Sequence, residues 1–197
     1  VDDALMAGVG GEPPLDFRPA DVSPGQGAYI VFTSGTTGKP KGVIGTHQAL
    51  LAYAADHSRH VLQPAAERLG RPLRVAHAWS FTFDAAWQPL VALLDGHTVH
   101  IVGDDVQRDA EAVVETIGRF AIDMIDTTPS MFTQLRAAGL LSTVPLAVLA
   151  LGGEAIDTAA WQAIQAECER TWMSAHNCYG PTETTVEAVV AAIADHA

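Results

Sequence analysis

The sequence predicts an α/β fold, a layered and mostly parallel sheet covered by helices. Strand-like apolar runs alternate with helical stretches at least four times between Leu73 and Cys178, the pattern that builds right-handed β-α-β units. The 197 residues are 48% hydrophobic and 17% charged, enough for one substantial core and short for two domains. The chemically unusual stretches fall where the expected strands end, which is where parallel sheets bind ligands.

Residues 1–27 are rich in Gly, Pro and Asp and read as a linker or a loosely packed lead-in. Residues 29–32, β-branched and aromatic, read as a buried strand, and residues 42–44 as a second short one. Thr46 is placed to cap a helix over residues 47–62. A strand is expected at 73–78 after Pro72, a helix at 84–94 with Gly96 just past its end, and a strand at 98–102. The helix at 109–120 puts Val113, Ile117 and Phe120 on one face. A strand at 122–125 leads to a helix from Pro129 to Ala138 with Thr128 as its cap. The run 147–151 is a strand without a polar residue, 158–169 is a helix and 171–178 a further strand. The sequence contains no internal repeat and no low-complexity tract.

The net charge of −12 argues against a nucleic-acid or anionic-membrane surface. Two cysteines, Cys168 and Cys178, provide no disulfide framework, which fits a reducing cytosol and a cytoplasmic location. No apolar run reaches membrane-spanning length and the start has no signal-peptide shape. The chain begins without Met and reads as a piece of a larger protein.

Residues 33–42 carry the first chemistry. Thr33, Ser34, Thr36 and Thr37 supply four hydroxyls, Lys39 and Lys41 two ammonium groups, and Gly35, Gly38 and Gly42 let backbone N–H groups converge. A loop with so many donors and no acid suits an anion, above all phosphate. It is not a nucleoside-triphosphatase P-loop, because Pro40 stands where Gly-Lys-Ser/Thr is needed. The plainer reading is a polar surface loop. The stretch resembles the phosphate-binding loop of the acyl-adenylate-forming superfamily, which includes acyl-CoA synthetases, luciferases and nonribosomal-peptide adenylation domains.

Asn177-Cys178-Tyr179-Gly180-Pro181-Thr182-Glu183 forms a second group. A tyrosine ring can stack on a purine, and a carboxylate facing a triphosphate calls for a hard cation such as Mg²⁺ between them. The resemblance assigns Asn177 and Tyr179 to adenine, Thr182 to the α-phosphate and Glu183 to Mg²⁺. It places Gly152 and Gly153 close to the nucleotide. Glu154 is left between a site role and a favourable charge at a helix start.

The third group selects the branch. Phe81-Thr82-Phe83-Asp84-Ala85-Ala86-Trp87 sets one acid among aromatics at a helix start. It is either a helix-dipole charge or, as its similarity to amino-acid-activating adenylation domains implies, the partner of a substrate α-ammonium. The family pocket carried over to this sequence comprises Asp84, Ala85, either Trp87 or Gln88, Ser130, Leu149, Leu151, Cys178, Val186 and Glu187. Glu187 either faces the substrate side chain, favouring a cationic or hydrogen-bonding group, or points to solvent. The histidines and acids form no recognisable zinc or Ser-His-Asp grouping.

The resemblance runs from about Tyr29 to Thr185 and implies a partial adenylation N-terminal subdomain over residues 28–197, with a C-terminal lid absent. It implies ATP-dependent formation of an aminoacyl-adenylate with release of pyrophosphate. The acyl group would then pass to the phosphopantetheine of a carrier domain, and a small MbtH-like protein is a candidate accessory. An acyl- or aryl-CoA ligase, or a non-catalytic binding subdomain, is the alternative.

Overall fold

The computed structural model describes residues 18, 20–34 and 38–194. Most of the expected lead-in, and Gly35, Thr36 and Thr37 of the donor-rich loop, lie outside the described residues. The first element is a hairpin in which β1 (Gly27–Thr33) pairs antiparallel with β2 (Lys41–Thr46). It forms its own two-stranded sheet, which corrects the expectation of a buried strand at 29–32. Val31 is buried, but Ile30 is 60% and Phe32 68% exposed. An apolar run signals burial without saying how many faces are covered, and only one face of this hairpin is.

Thr46 Oγ1 accepts from Ala49 N at 3.2 Å and caps α1 (His47–His57). The helix continues through a π-helical turn (Ser58–Leu62) into α2 (Gln63–Leu69). The strands β3 (Arg74–His77), β4 (Thr98–Ile101), β5 (Met124–Thr127), β6 (Val148–Leu151) and β7 (Ser174–Tyr179) are mutually parallel. With the antiparallel edge strand β8 (Val189–Ala194) they form one six-stranded sheet in the order β4-β3-β5-β6-β7-β8. The sequence reading placed no strand after Cys178, and the alanine-rich β8 carries little strand signal of its own. Between β3 and β4 the expected single helix is a 3₁₀ turn (Asp84–Ala86), α3 (Trp87–Val91) and a second 3₁₀ turn (Ala92–Asp95). The remaining helices are α4 (Ala110–Phe120), capped by Asp109, α5 (Pro129–Ala137), capped by Thr128, and α6 (Thr158–Thr171), capped by Asp157.

Side chains alternate across the strands. One face, with Ala76, Ile125, Leu149, Leu151 and Ala175, packs on α4, α5 and α6 through Val113, Ile117, Phe132, Leu135, Ile164 and Cys168. The other, with Val75, Met124, Val148, Ala150 and Cys178, packs on Val61, Leu62, Ala65 and Ala92. β5 begins two residues later than expected. Ile122 N donates to Ile117 O and closes α4, while the Asp123 carboxylate is taken up by Arg71 and by Arg74 N. That shift carries Asp126 and Thr127 into the strand.

Candidate active site

A cavity of about 250 Å³ opens beyond the ends of β3, β6 and β7. The segment after β3 contributes Trp79, Phe83, Asp84, Ala85 and Gln88, the turn after β6 contributes Gly152 and Gly153, and β7 and the loop beyond it contribute Cys178, Gly180, Val186 and Glu187. Asp84 begins the 3₁₀ turn before α3, and its Oδ2 is buried without a hydrogen-bond partner. The loop to β8 is folded tightly. Thr185 and Val186 both take left-handed backbone angles, φ 64° and 66°, a strained choice for β-branched residues. Gly180 lies so close beneath this loop that a Cβ would stand 2.5 Å from Val186 O.

Titratable side chains lie at and beneath the floor of the cavity. Gln88 Nε2 donates to Glu187 Oε1. Glu187 Oε2 stands 3.4 Å from His57 Nδ1, with the two side chains 4% and 0% exposed. Burial opposes charge on both, but their mutual contact outweighs it: His57 is held above the ordinary histidine value and Glu187 below the ordinary carboxylate value. Asp126 is buried behind them with neither oxygen partnered. Burial pushes its pKa up to about 7, with His57 opposing and Glu187 adding to the shift.

A second cavity, of about 470 Å³, adjoins the first through Gly153, Cys178 and Gly180 and is completed by Glu154, Ala155, Asn177, Tyr179 and Pro181. Tyr179 presents an exposed ring there. The 3₁₀ turn Thr182–Thr184 packs against β2. Thr182 and the exposed Glu183 thus lie beside the hairpin that carries Thr33, Ser34, Gly38, Lys39 and Lys41, and both lysines are exposed. The described part of the donor-rich stretch, on β2, therefore stands beside the acidic turn.

The AMP-binding enzyme family matches residues 3–197. The chain belongs to the AMP-binding enzymes. Vanchrobactin synthetase VabF of Vibrio anguillarum is 38% identical over 177 residues, which cover 84% of this chain and 6% of VabF. The four-domain nonribosomal peptide synthetase AB3403, solved with AMP and glycine, superimposes with a TM-score of 0.70 at 26% identity, over 85% of this chain and 12% of that one. The Vibrio cholerae adenylation domain AlmE, solved with glycyl-adenosine-5'-phosphate, superimposes with a TM-score of 0.73 at 22% identity, over 88% of this chain and 32% of that one. The chain therefore spans a small part of these relatives.

Within this AMP-binding fold, Asp84, Ala85, Gln88, Cys178, Val186 and Glu187 converge on one cavity together with Gly152 and Gly153. Four expected pocket residues do not. Trp87 turns away, its ring 5.4 Å from Tyr29, and packs against the cluster of Tyr53, Ala54, Val91 and Val186. This leaves Gln88 as the residue of the pair that faces the cavity. Leu149 and Leu151 are fully buried on the opposite sheet face, under α5 and α6. Strand alternation gives the cavity side to Ala150 and Gly152 instead. Ser130 does not line the cavity; its N and Oγ donate to the Glu154 carboxylate at 3.0 and 2.7 Å. Glu154 thereby also satisfies a donor of the first turn of α5. Sequence reasoning missed Asp126, His57 and Tyr53. The available signals were a lone acid in the apolar run Met124–Thr127 and two polar-tipped rings four apart on α1.

Proposed function

We propose that this chain is the nucleotide- and substrate-binding core of an enzyme that activates an amino acid as its aminoacyl-adenylate for nonribosomal synthesis of a peptide secondary metabolite. The observation that carries the proposal is the buried, unpartnered Oδ2 of Asp84 in a cavity that adjoins a second one of nucleotide size. A buried carboxylate without a partner is costly, and the α-ammonium of an amino acid would satisfy it. The amino-acid and AMP ligands of the relatives support the same reading.

Asp84 then fixes the substrate ammonium, with Ala85, Gln88, Cys178, Val186 and Glu187 around the side chain. Asn177 and Tyr179 hold adenine against Gly152 and Gly153. Thr33, Ser34, Gly38, Lys39 and Lys41, with Gly35, Thr36 and Thr37, cradle the phosphates, and Thr182 meets the α-phosphate. The residues present fit Mg²⁺: one exposed carboxylate, Glu183, stands beside hydroxyls and lysines, and Mg²⁺ takes one or two carboxylates with phosphate oxygens. When bound, the ion would offset phosphate charge. A substrate carboxylate oxygen held by this arrangement attacks the α-phosphorus, the bond to the β-phosphate breaks and pyrophosphate leaves. Positioning and charge stabilisation are the chain's contribution.

On this reading residues 28–197 are part of an N-terminal adenylation subdomain. It works in the cytoplasm with a C-terminal lid subdomain, a carrier domain bearing phosphopantetheine, and an MbtH-like protein as a candidate accessory. The test is pyrophosphate exchange by the complete enzyme with amino acids and their des-amino analogues. Amino-acid-dependent exchange is expected. Equal exchange with des-amino acids would favour an acyl-CoA ligase instead.

A further inference from the structure

Of the residues that line the cavity, only Asp84 and Glu187 carry charge. Glu187 already has its partners. Its Oε1 accepts from Gln88 Nε2, and its Oε2 faces His57 Nδ1 at 3.4 Å, with both side chains of this pair sealed from solvent. Their contact holds His57 above the ordinary histidine value and Glu187 below the ordinary carboxylate value, so the pair is ionised and neutral as a whole. Asp126 is buried and does not line the cavity. A second ammonium or guanidinium entering here would give up its water and meet a carboxylate that is already matched. A second carboxylate would meet Glu187 with no cation among the described lining residues.

Gln88 sets what can be recognised instead. An amide has one donating and one accepting end, whereas a carboxylate can only accept. Gln88 must therefore turn its NH₂ to Glu187 Oε1, and its own Oε1 is the end left over. That oxygen is not sealed inside the protein, and no donor among the described residues meets it. Gln88 is 5% exposed and lines the cavity, so the oxygen opens onto the cavity. The neighbouring walls, Phe83, Cys178 and Val186, are largely apolar, and the Trp79 Nε1 is buried. The cavity thus offers two acceptors, the Asp84 carboxylate for the α-ammonium and the Gln88 carbonyl for one more donor. We propose that the amino acid activated here carries an uncharged side chain with a hydrogen-bond donor, a hydroxyl or an amide N–H, and that Gln88 Oε1 accepts from it. Gln88 is then a specificity-determining residue. The proposal rests on the adenylation reading above.

The experiment is pyrophosphate exchange by the complete enzyme with pairs of similar shape: serine and alanine, threonine and valine, asparagine and leucine, glutamine and methionine, tyrosine and phenylalanine. Lysine, arginine and glutamate complete the panel. The best substrate is expected to be the donor-bearing member of a pair and to exceed its partner by about tenfold or more in kcat/KM, because an acceptor left unpaired in a cavity penalises the analogue that lacks the donor. The hydroxyl pairs and the amide pairs tell the two kinds of donor apart. Gln88→Met keeps the length of the side chain and removes its carbonyl. It should bring the ratio within that pair to about threefold or less. A ratio that survives this substitution would overturn the proposal. If the variant does not fold, the wild-type panel decides alone. A best substrate with an apolar or charged side chain would overturn the proposal while leaving adenylation intact. Exchange with no amino acid at all would overturn both.

Discussion

On the proposed reading, Asp84 puts the choice of substrate class on one carboxylate oxygen. Its Oδ2 is buried and unpartnered, whereas the groups proposed to hold the nucleotide are gathered around Tyr179, Glu183 and the hairpin. Asp84→Ala in the complete enzyme should therefore abolish amino-acid activation and leave ATP affinity nearly unchanged. Losing one partner of a desolvated ion pair costs about 3–5 kcal/mol, a rate loss of a hundredfold or more. Exchange assays beside a separate nucleotide-binding measurement check this, and a retained preference for amino over des-amino acids would reduce Asp84 to a helix-start charge. Gly180 is a second single-residue constraint. Its absent Cβ would meet Val186 O, Glu187 Cα and Ala188 N at 2.5–2.8 Å, all of them backbone that cannot swing aside. Gly180→Ala should cost about 1–3 kcal/mol in thermal stability. It should also raise KM for the amino acid, because the displaced loop carries Val186 and Glu187.

At the scale of elements, the β1–β2 hairpin is joined to α1 and to the 3₁₀ turn Thr182–Thr184, and one ring ties it to α3. Tyr29 lies across Gly45, where a Cβ would stand 2.1 Å from the ring, and meets Trp87 at 5.4 Å on the other side. The hairpin is thus tied to the 3₁₀ turn and helix that also hold Asp84 and Gln88. Gly45→Ala should expel the Tyr29 ring and loosen the hairpin without unfolding the sheet. Amide hydrogen exchange is expected to speed up in β1 and β2 and remain slow in β5 and β6. Uniform acceleration would show that the hairpin and the sheet open as one unit. Short-range signals located most of the other elements. The Thr46, Asp109 and Thr128 caps lie where Ser/Thr/Asp chemistry places them. Two local outcomes had no such signal. One is the 3₁₀–α–3₁₀ division of residues 84–95, and the other is β8, whose partner strand is ten residues away in sequence.

For the whole molecule, the ionised cluster couples stability to pH. Asp126 is raised to about 7 in the fold, against roughly 3.9 in an unfolded chain. Between those values the native state holds a proton that the unfolded state does not, so this group's contribution falls as pH rises from about 4 to 7. His57, held above the ordinary value near 6.5, stabilises below that pH and loses its contribution as pH rises through its native value. Glu187, held below the ordinary value near 4.3, loses its contribution only as pH falls through its lower native value. The cluster therefore favours the fold most at about pH 4, before the Asp126 contribution begins to fall. Melting temperatures of the free protein should decline from pH 5 toward pH 8. The Asp126→Asn variant should show a shallower decline, because the largest shift is gone. The difference between the two curves should amount to a few kcal/mol at most. Parallel curves would show that Asp126 titrates normally.

The sequence by itself determined the order of strands and helices apart from β8 and the division of residues 84–95, the family, and the stretches that meet at the strand ends. These follow from periodicity, capping and turn chemistry, which act over a few residues. Asp84 stood out as one acid among aromatics and Gly152 and Gly153 as a turn after an apolar strand, whereas Val186 and Glu187 came only from the resemblance to the family pocket. Which face each strand residue takes was decided only by tertiary structure. A shift of one position exchanges Leu149 and Leu151 for Ala150 and Gly152, and both sets are apolar or small. The same holds for Trp87 and Gln88, adjacent on one short helix, where docking of Tyr29 settles the rotation. The charge state of the cavity floor was the least legible of all. His57, Gln88, Asp126 and Glu187 come from α1, α3, β5 and the loop before β8. Their ionisation depends on burial and mutual distance, and neither is written in the spacing of residues along the chain.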